Sequence, residues 1–422
     1  MKRVVCVCCV VVLSACLETR AGASSGWSRE GLDINRQIEE VAKTGGGRVT
    51  VPAGRWETKP IRLASNVELH FEDGADLLFT DDLEAFLPAV RTSYEGIECL
   101  NYSPLIYAYD ATNIAITGKG KIEPRMGLWE TWRWNGPTQR KAGDVLKWEW
   151  AEKDVPVESR DMTKLDGSKC RPQFICLNRC RGIRLEDFSL LHSPNWCIHL
   201  LQSEDAVLRR LKISAFMNNN DGVDIECSRN VLIEDCSFDQ GDDVICCKSG
   251  KDRDGLRRGV PTENVTVRRC RAGAGHGFLV IGSECSGGVR NVLMEDCEVD
   301  GTIATLIRFK TRETHGGYME NITVRNVRAR NVVGAVIDLS TGYSAGDVLP
   351  TGIDQKVALT RISGICIEDI DVKRAGCRMR LIGDARRPVT DFSVKGLQVG
   401  RTTSGDVVEF VQGRGLTAVS DL

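Results

Sequence analysis

One seven-residue phrase recurs through the second half of the chain. Asn230-Val-Leu-Ile-Glu-Asp-Cys236 is echoed by phrases that begin at Gly182, Asp205, Asn264, Asn291, Asn321, Gly364 and Asp391, at intervals of 23 to 43 residues, and more faintly at Asn113. Each copy alternates apolar and polar residues with period two, the mark of a strand buried on one side. A second strand set lies between the copies, including Gly222-Val-Asp-Ile-Glu226, Asp243-Val-Ile-Cys-Cys247, Gly277-Phe-Leu-Val-Ile281 and Thr305-Leu-Ile-Arg-Phe309. Repeats of this size, made of strands with tight turns, predict an all-β chain wound as a parallel β-helix. A leucine-rich repeat would carry a stricter leucine grid, and propeller blades would be longer.

In such a solenoid, equivalent residues of successive coils stack about 4.8 Å apart. The seventh position of the phrase reads Phe188, Leu211, Cys236, Cys270, Cys297, Val327, Ile370 and Leu397, an expected inward ladder. Fourteen cysteines follow the leader segment. Their spacing fits neither a small stapled domain nor a zinc site, so most are expected as small buried hydrophobes. Asn230, Asn264, Asn291 and Asn321 open their phrases and are expected to form a polar ladder at a turn. Upstream, Leu32, Ile34, Ile38 and Val41 mark a short amphipathic helix ended by Gly45-Gly46-Gly47, which would cap the raw end of the stack.

The first residues read as an export signal. Met1-Lys2-Arg3 is basic, and residues 4–13 are apolar but too short to span a bilayer. Leu13-Ser14-Ala15-Cys16 resembles a lipoprotein box, with Cys16 as lipid-anchored first mature residue. Cleavage after Ala23 is the alternative. Residues 1–23 are therefore expected to be a signal peptide and 24–422 one β-helix domain with an insertion at about 128–169. The expected location is the periplasm or cell surface of a bacterium, and the expected state a monomer. Lysine and arginine (56) nearly balance aspartate and glutamate (58) with no basic stripe, which argues against a nucleic-acid partner.

The chemistry-bearing residues sit on the second strand set. Asp221, the Asp242-Asp243 pair, His276, and Arg308 with Lys310 fall at the same strand on four successive coils, so stacking should gather them into one patch. Arg308 and Lys310, two apart, should point the same way. Crowded carboxylates resist full ionisation and can retain a proton near neutral pH. One protonated and one ionised carboxyl suit glycoside hydrolysis, and an arginine with a lysine suits an anionic sugar. His276 could tune the acid, and its flanking glycines suggest close backbone approach. Asp224 and Glu226 read as structural, and His192 and His199 as ordinary.

With these residues in view, the chain resembles the polygalacturonase family of pectin-degrading hydrolases, glycoside hydrolase family 28. The motifs carrying the resemblance are Asn219-Asn220-Asp221, Gly241-Asp242-Asp243, Gly275-His276-Gly277 and Arg308-Phe309-Lys310, in the family's order. Asn220 and Phe309 replace the commoner threonine and isoleucine. The resemblance implies a right-handed, pectin-lyase-like β-helix and an inverting, metal-free and cofactor-free hydrolysis of pectic polysaccharide or oligogalacturonide. It implies Asp242 as general acid, Asp221 and Asp243 holding the water, and His276 supporting the acid. Arg308 and Lys310 would bind the galacturonate carboxylate, with Asn219 and Lys248 as further substrate-binding candidates.

Lys248-Ser-Gly250, Asp252 and Gly282-Ser283-Glu284 resemble exo-acting bacterial members. The insertion carries Trp129, Trp132, Trp134, Trp148 and Trp150, which would either wall off one end of the groove and stack on sugar or simply pack the insertion. Alternatives are a rhamnogalacturonan-type glycosidase, a calcium-dependent lyase on the same fold, and a carbohydrate-binding protein without catalysis.

Overall fold

The computed structural model describes residues 32–132, 137–165, 167–344 and 356–416. The readings of residues 1–23, Cys16 included, and of Trp134 lie outside them. The described chain winds as a right-handed parallel β-helix. The helix Ile34–Lys43 covers its first coil, burying Ile34 and Ile38 beneath an Asp33 N-cap. The expected cap is therefore present.

The phrase repeats pair in register, as their common period requires. Val231 aligns with Val265 and Ile233 with Val267, and on the next coil Val265 aligns with Val292 and Val267 with Met294. Phe188, Leu211, Cys236, Cys270, Cys297, Val327 and Ile370 are buried, so the inward ladder holds until Leu397, which is only partly covered near the last coil. All fourteen cysteines of the described chain are free thiols, and every one except Cys366 is buried.

The asparagine ladder is also present. Asn230, Asn264, Asn291 and Asn321 have φ of 57°, 57°, 57° and 53°, a left-handed turn that asparagine tolerates. Along the ladder each side-chain amide donates to the coil before it, with Asn264 to Asn230 at 3.1 Å, Asn291 to Asn264 at 3.0 Å and Asn321 to Asn291 at 3.3 Å. The turn polar groups thus bond to one another along the stack.

Two non-repeat elements position the site. An antiparallel hairpin, Val90–Tyr94 and Ile97–Asn101, stands outside the solenoid sheet. The insertion forms short helical segments, among them Gly127–Thr131 and Val145–Ala151. Tyr94, Ile97 and Cys99 of the hairpin pack with Leu146, Ala151 and Met162 of the insertion in a small separate core. Arg160 and Asp254, both with fully buried side chains, pair at 2.8 Å and fasten the insertion to the short helix Asp252–Arg258.

Among the described residues, the insertion tryptophans pack within the protein, Trp150 against the small hairpin–insertion core. Trp129 packs edge-on against Phe86 and Trp132 within the main core, and Trp148 is buried under Lys147. Of the two readings open for these tryptophans, the described ones take packing.

Candidate active site

The second strand set aligns the functional residues by simple stacking. Val223–Glu226 pairs with Ile245–Lys248, which pairs with residues 279–281 and then 307–309. Asp221 and Asp243 both stand two residues ahead of their strands on adjacent coils, and Gly222 N–H donates to the Asp243 carbonyl. Asp242 and His276 stand one residue earlier on the next pair of coils, and His276 N–H donates to the Asp242 carbonyl at 2.8 Å.

Alternation decides which strand residues face outward. Asp224, Cys246, Val280 and Arg308 form one outward row, and Lys248 and Lys310 lie in the next. Arg308 and Lys310 share a side as expected, each with its cation over the Tyr343 ring, at 5.5 and 5.4 Å.

The glycines around His276 are required by space. A Cβ on Gly275 would lie 2.6 Å from the Val244 side chain, and one on Gly277 would lie 2.4 Å from Val280. Close coil approach at these points brings the imidazole beside Asp242.

Asp221, Asp242, Asp243, His276, Arg308 and Lys310 all line one open cavity of about 320 Å³, together with Asn219 and Lys248. Every residue singled out for the site from sequence is thus at the cavity. The cavity also takes in Glu95, Trp196, Asn218, Lys251, Ser283, Glu284 and Tyr343. Trp196 lies in an unrecognised earlier copy of the second strand set, so extending the period one coil upstream would have found it. Glu95 comes from the hairpin, which has no repeat to betray it.

The cationic binding candidates on the strands are already engaged. Lys310 Nζ pairs with Asp243 at 2.7 Å. Lys248 Nζ sits 3.5 Å from Asp221, 3.2 Å from Asp224 and 3.2 Å from Glu284, with the Trp196 ring beneath it at 4.0 Å. Arg308 faces Asp338 at 3.3 Å, and Asp338 is shared with Arg380. Asp224 and Glu226 are fully buried, Glu226 against His199 at 3.1 Å, which fits their structural reading.

Protonation is unevenly divided. Burial pushes the Asp221 carboxyl up to about 7, and the Asp242 and Asp243 charges add to this against the pull of Lys248. Burial also pushes Asp242 up, but the His276 hydrogen bond and charge, with Lys310 and Lys248, outweigh it and hold Asp242 at about 2. His276 Nδ1 lies 3.1 Å from Asp242 Oδ1, and that bond raises the imidazole above its ordinary value. The retained proton expected from crowding therefore rests on Asp221 and on the His276–Asp242 pair.

Asp221 Oδ1 and Asp243 Oδ1 are buried and take no hydrogen bond from the described residues. Two acceptors so placed, one on a carboxyl raised to about 7 and one on a lysine-paired carboxyl, suit a water held between them. Asp242, Asp243 and His276 present ligand atoms within 4.8 Å of one another, as do Asp221, Asp224 and Cys246. Each set already holds an ammonium, Lys310 in the first and Lys248 in the second, which disfavours a divalent ion there.

One side of the cavity is closed. Tyr107, Cys176 and His199 occupy the outward row on the coils before Asp224, where an open groove would expose them. They are 3 %, 0 % and 0 % exposed: the hairpin lies across Tyr107 and Cys176, and His199 is enclosed by Trp196, Glu226 and Cys176. Tyr107 Oη donates to the Arg91 carbonyl, and Thr92 Oγ1 lies 3.7 Å from Cys176 Sγ.

Comparison with known proteins bears on the family and the fold. The model of glycosyl hydrolases family 28 matches residues 157–415. A probable polygalacturonase of Vitis vinifera is 29% identical over 398 residues, covering 92% of this chain and 74% of that protein. An exo-poly-alpha-D-galacturonosidase of Dickeya chrysanthemi is 24% identical over 353 residues, 77% of this chain and 57% of that one. The crystal structure of a hyperthermoactive exopolygalacturonase from Thermotoga maritima matches with a TM-score of 0.81 and 37% identity, covering 90% of this chain and 85% of that one.

Proposed function

The chain belongs to glycosyl hydrolase family 28, and from that premise we propose that it is an exo-acting polygalacturonase that shortens pectic oligosaccharides from one end. That it is a glycosidase follows from the family. The observation that carries the exo reading is the blind side of the cavity, where the hairpin covers Tyr107 and Cys176 and His199 is buried beyond them.

In this reading Asp242 protonates the leaving oxygen with the proton that the His276 imidazolium passes to it along their hydrogen bond, leaving His276 neutral. Asp243, paired with Lys310, accepts the proton of the attacking water, and Asp221 orients that water from the other side. Arg308 binds the galacturonate carboxylate, and Asn219 shapes the leaving-group side, where its N–H reaches Asp242 at 3.3 Å. Lys248 acts mainly on Asp221 and Glu284, and its contact with sugar is secondary. Asp242 and Asp243 offer oxygens within 4.8 Å, shorter than the roughly 6.5–9.5 Å usual between inverting carboxyls. Inversion is therefore taken from the family, with the water seated between Asp221 and Asp243. Residues 24–422 are taken as one exported catalytic domain, anchored through Cys16 if cleavage falls before that residue and released if it falls after Ala23.

The test is Asp242→Asn on trigalacturonate, with the anomer of the first product followed by NMR. Wild type should release the inverted anomer and the variant should lose about 10²–10⁴ in kcat. Full hydrolysis by the variant would remove Asp242 as the acid. An ultraviolet-absorbing, chelator-sensitive product would favour a lyase instead.

A further inference from the structure

The hairpin tip does more than block. Glu95 and Gly96 turn with φ of 46° and 83°. The Gly96 carbonyl accepts from Lys251 N–H at 3.0 Å and from Arg258 Nη2 at 2.6 Å. A Cβ on Gly96 would lie 2.6 Å from Glu284 Cγ, so only glycine lets the tip press so closely on the cavity wall. The tip is thus held in place, and it sets Glu95 on the lining of the same cavity as Asp221, Asp242 and Asp243.

The order of groups across the cavity gives the sugar its direction. Glu284 stands under the tip, Lys248 bridges Glu284 to Asp221, and Asp242 with His276 lies beyond. His276 is 56% exposed at its side chain, so the acid is on the open side. The leaving group, protonated by the acid, extends outward. The ring between the acid and the tip is then the last sugar of the chain at its non-reducing end.

A 1,4-linked galacturonate inside a chain has an ether oxygen at C4, with no hydrogen to give. The terminal residue carries a hydroxyl there. A carboxylate can only accept. We propose that Glu95 is the specificity residue that reads the chain end, accepting a hydrogen bond from the free 4-hydroxyl of the terminal galacturonate. This rests on the polygalacturonase reading above. It also places the enzyme in a reaction sequence. Chain ends made by hydrolysis keep the 4-hydroxyl, whereas ends made by elimination carry a C4–C5 double bond and lack it. The enzyme therefore consumes the products of pectin hydrolysis and rejects those of pectin elimination.

The test compares trigalacturonate with its 4,5-unsaturated counterpart on wild type, Glu95→Gln and Glu95→Ala, with kcat and KM measured separately. A site built to bond a hydroxyl rejects an analogue lacking it by up to about 10⁴-fold, and a partly exposed one by less. Wild type should prefer the saturated substrate by roughly 10²-fold. Glu95→Ala should narrow that ratio at least roughly tenfold, mainly through a raised KM on the saturated substrate, and Glu95→Gln, which keeps an acceptor oxygen, should retain part of it. Equal turnover of both substrates by wild type, or an unchanged ratio in Glu95→Ala, overturns the role of Glu95 and leaves the polygalacturonase reading standing. No turnover of either substrate by wild type overturns both.

Discussion

Lys310 Nζ lies 2.7 Å from Asp243 Oδ2, although 67 residues separate them in sequence and both side chains are at least nine-tenths buried. Two turns of the solenoid make them neighbours. The pair shows how the fold sets a cation against a carboxyl inside a crowded acidic cavity.

Removing one partner of a buried pair leaves the other charge uncompensated. Lys310→Met should lower stability by about 3–5 kcal/mol and abolish most hydrolysis. Lys310→Met combined with Asp243→Asn should recover much of the stability and none of the activity. Denaturant unfolding alongside a reducing-sugar assay checks both.

Activity should decline as pH rises through neutrality. The His276–Asp242 pair supplies the proton for the leaving oxygen, and Asp221 holds its own proton up to about 7. His276 and Asp221 both sit above their ordinary values, so their protonated forms dominate below these pKa values and are lost above them. The alkaline limb of kcat/KM should therefore fall from about pH 7. Lys248 favours ionised Asp221, so Lys248→Met should carry the Asp221 part of that limb to higher pH. A limb that Lys248→Met leaves in place would assign it to His276 alone.

The wall depends on a contact far from the chemistry. Arg160 and Asp254 pair with no solvent access, and Asp254 also accepts from Glu98 N–H in the hairpin. Arg160→Met should destabilise the protein by about 3–5 kcal/mol and loosen the insertion under the hairpin. Its products from a long oligogalacturonide should then include internal fragments, which chromatography against size standards would show.

The repeat makes the fold legible because each coil restates one constraint, an apolar residue inward at every second position. The same period gathers Asp221, Asp243, His276 and Lys310 on the strength of their spacing alone. What the period cannot reach is whatever interrupts it. Glu95 sits on a hairpin with no repeat partner, and its place at the cavity depends on packing by Leu146 and Met162 from a segment about 50 residues or more downstream. The insertion tryptophans stay undecided in the sequence for a related reason. Their size signals burial as readily as sugar stacking, and Trp129 against Phe86 resolves it as burial. The division of protons is likewise hidden in the sequence, since it depends on which carboxyl His276 touches.

The most direct test is the early product pattern from purified hexagalacturonate, sampled before a tenth of the substrate is consumed. A cavity closed by the hairpin predicts one short saturated product and the complementary shortened chain. A spread of intermediate lengths at that stage would contradict terminal attack and the role given to the wall.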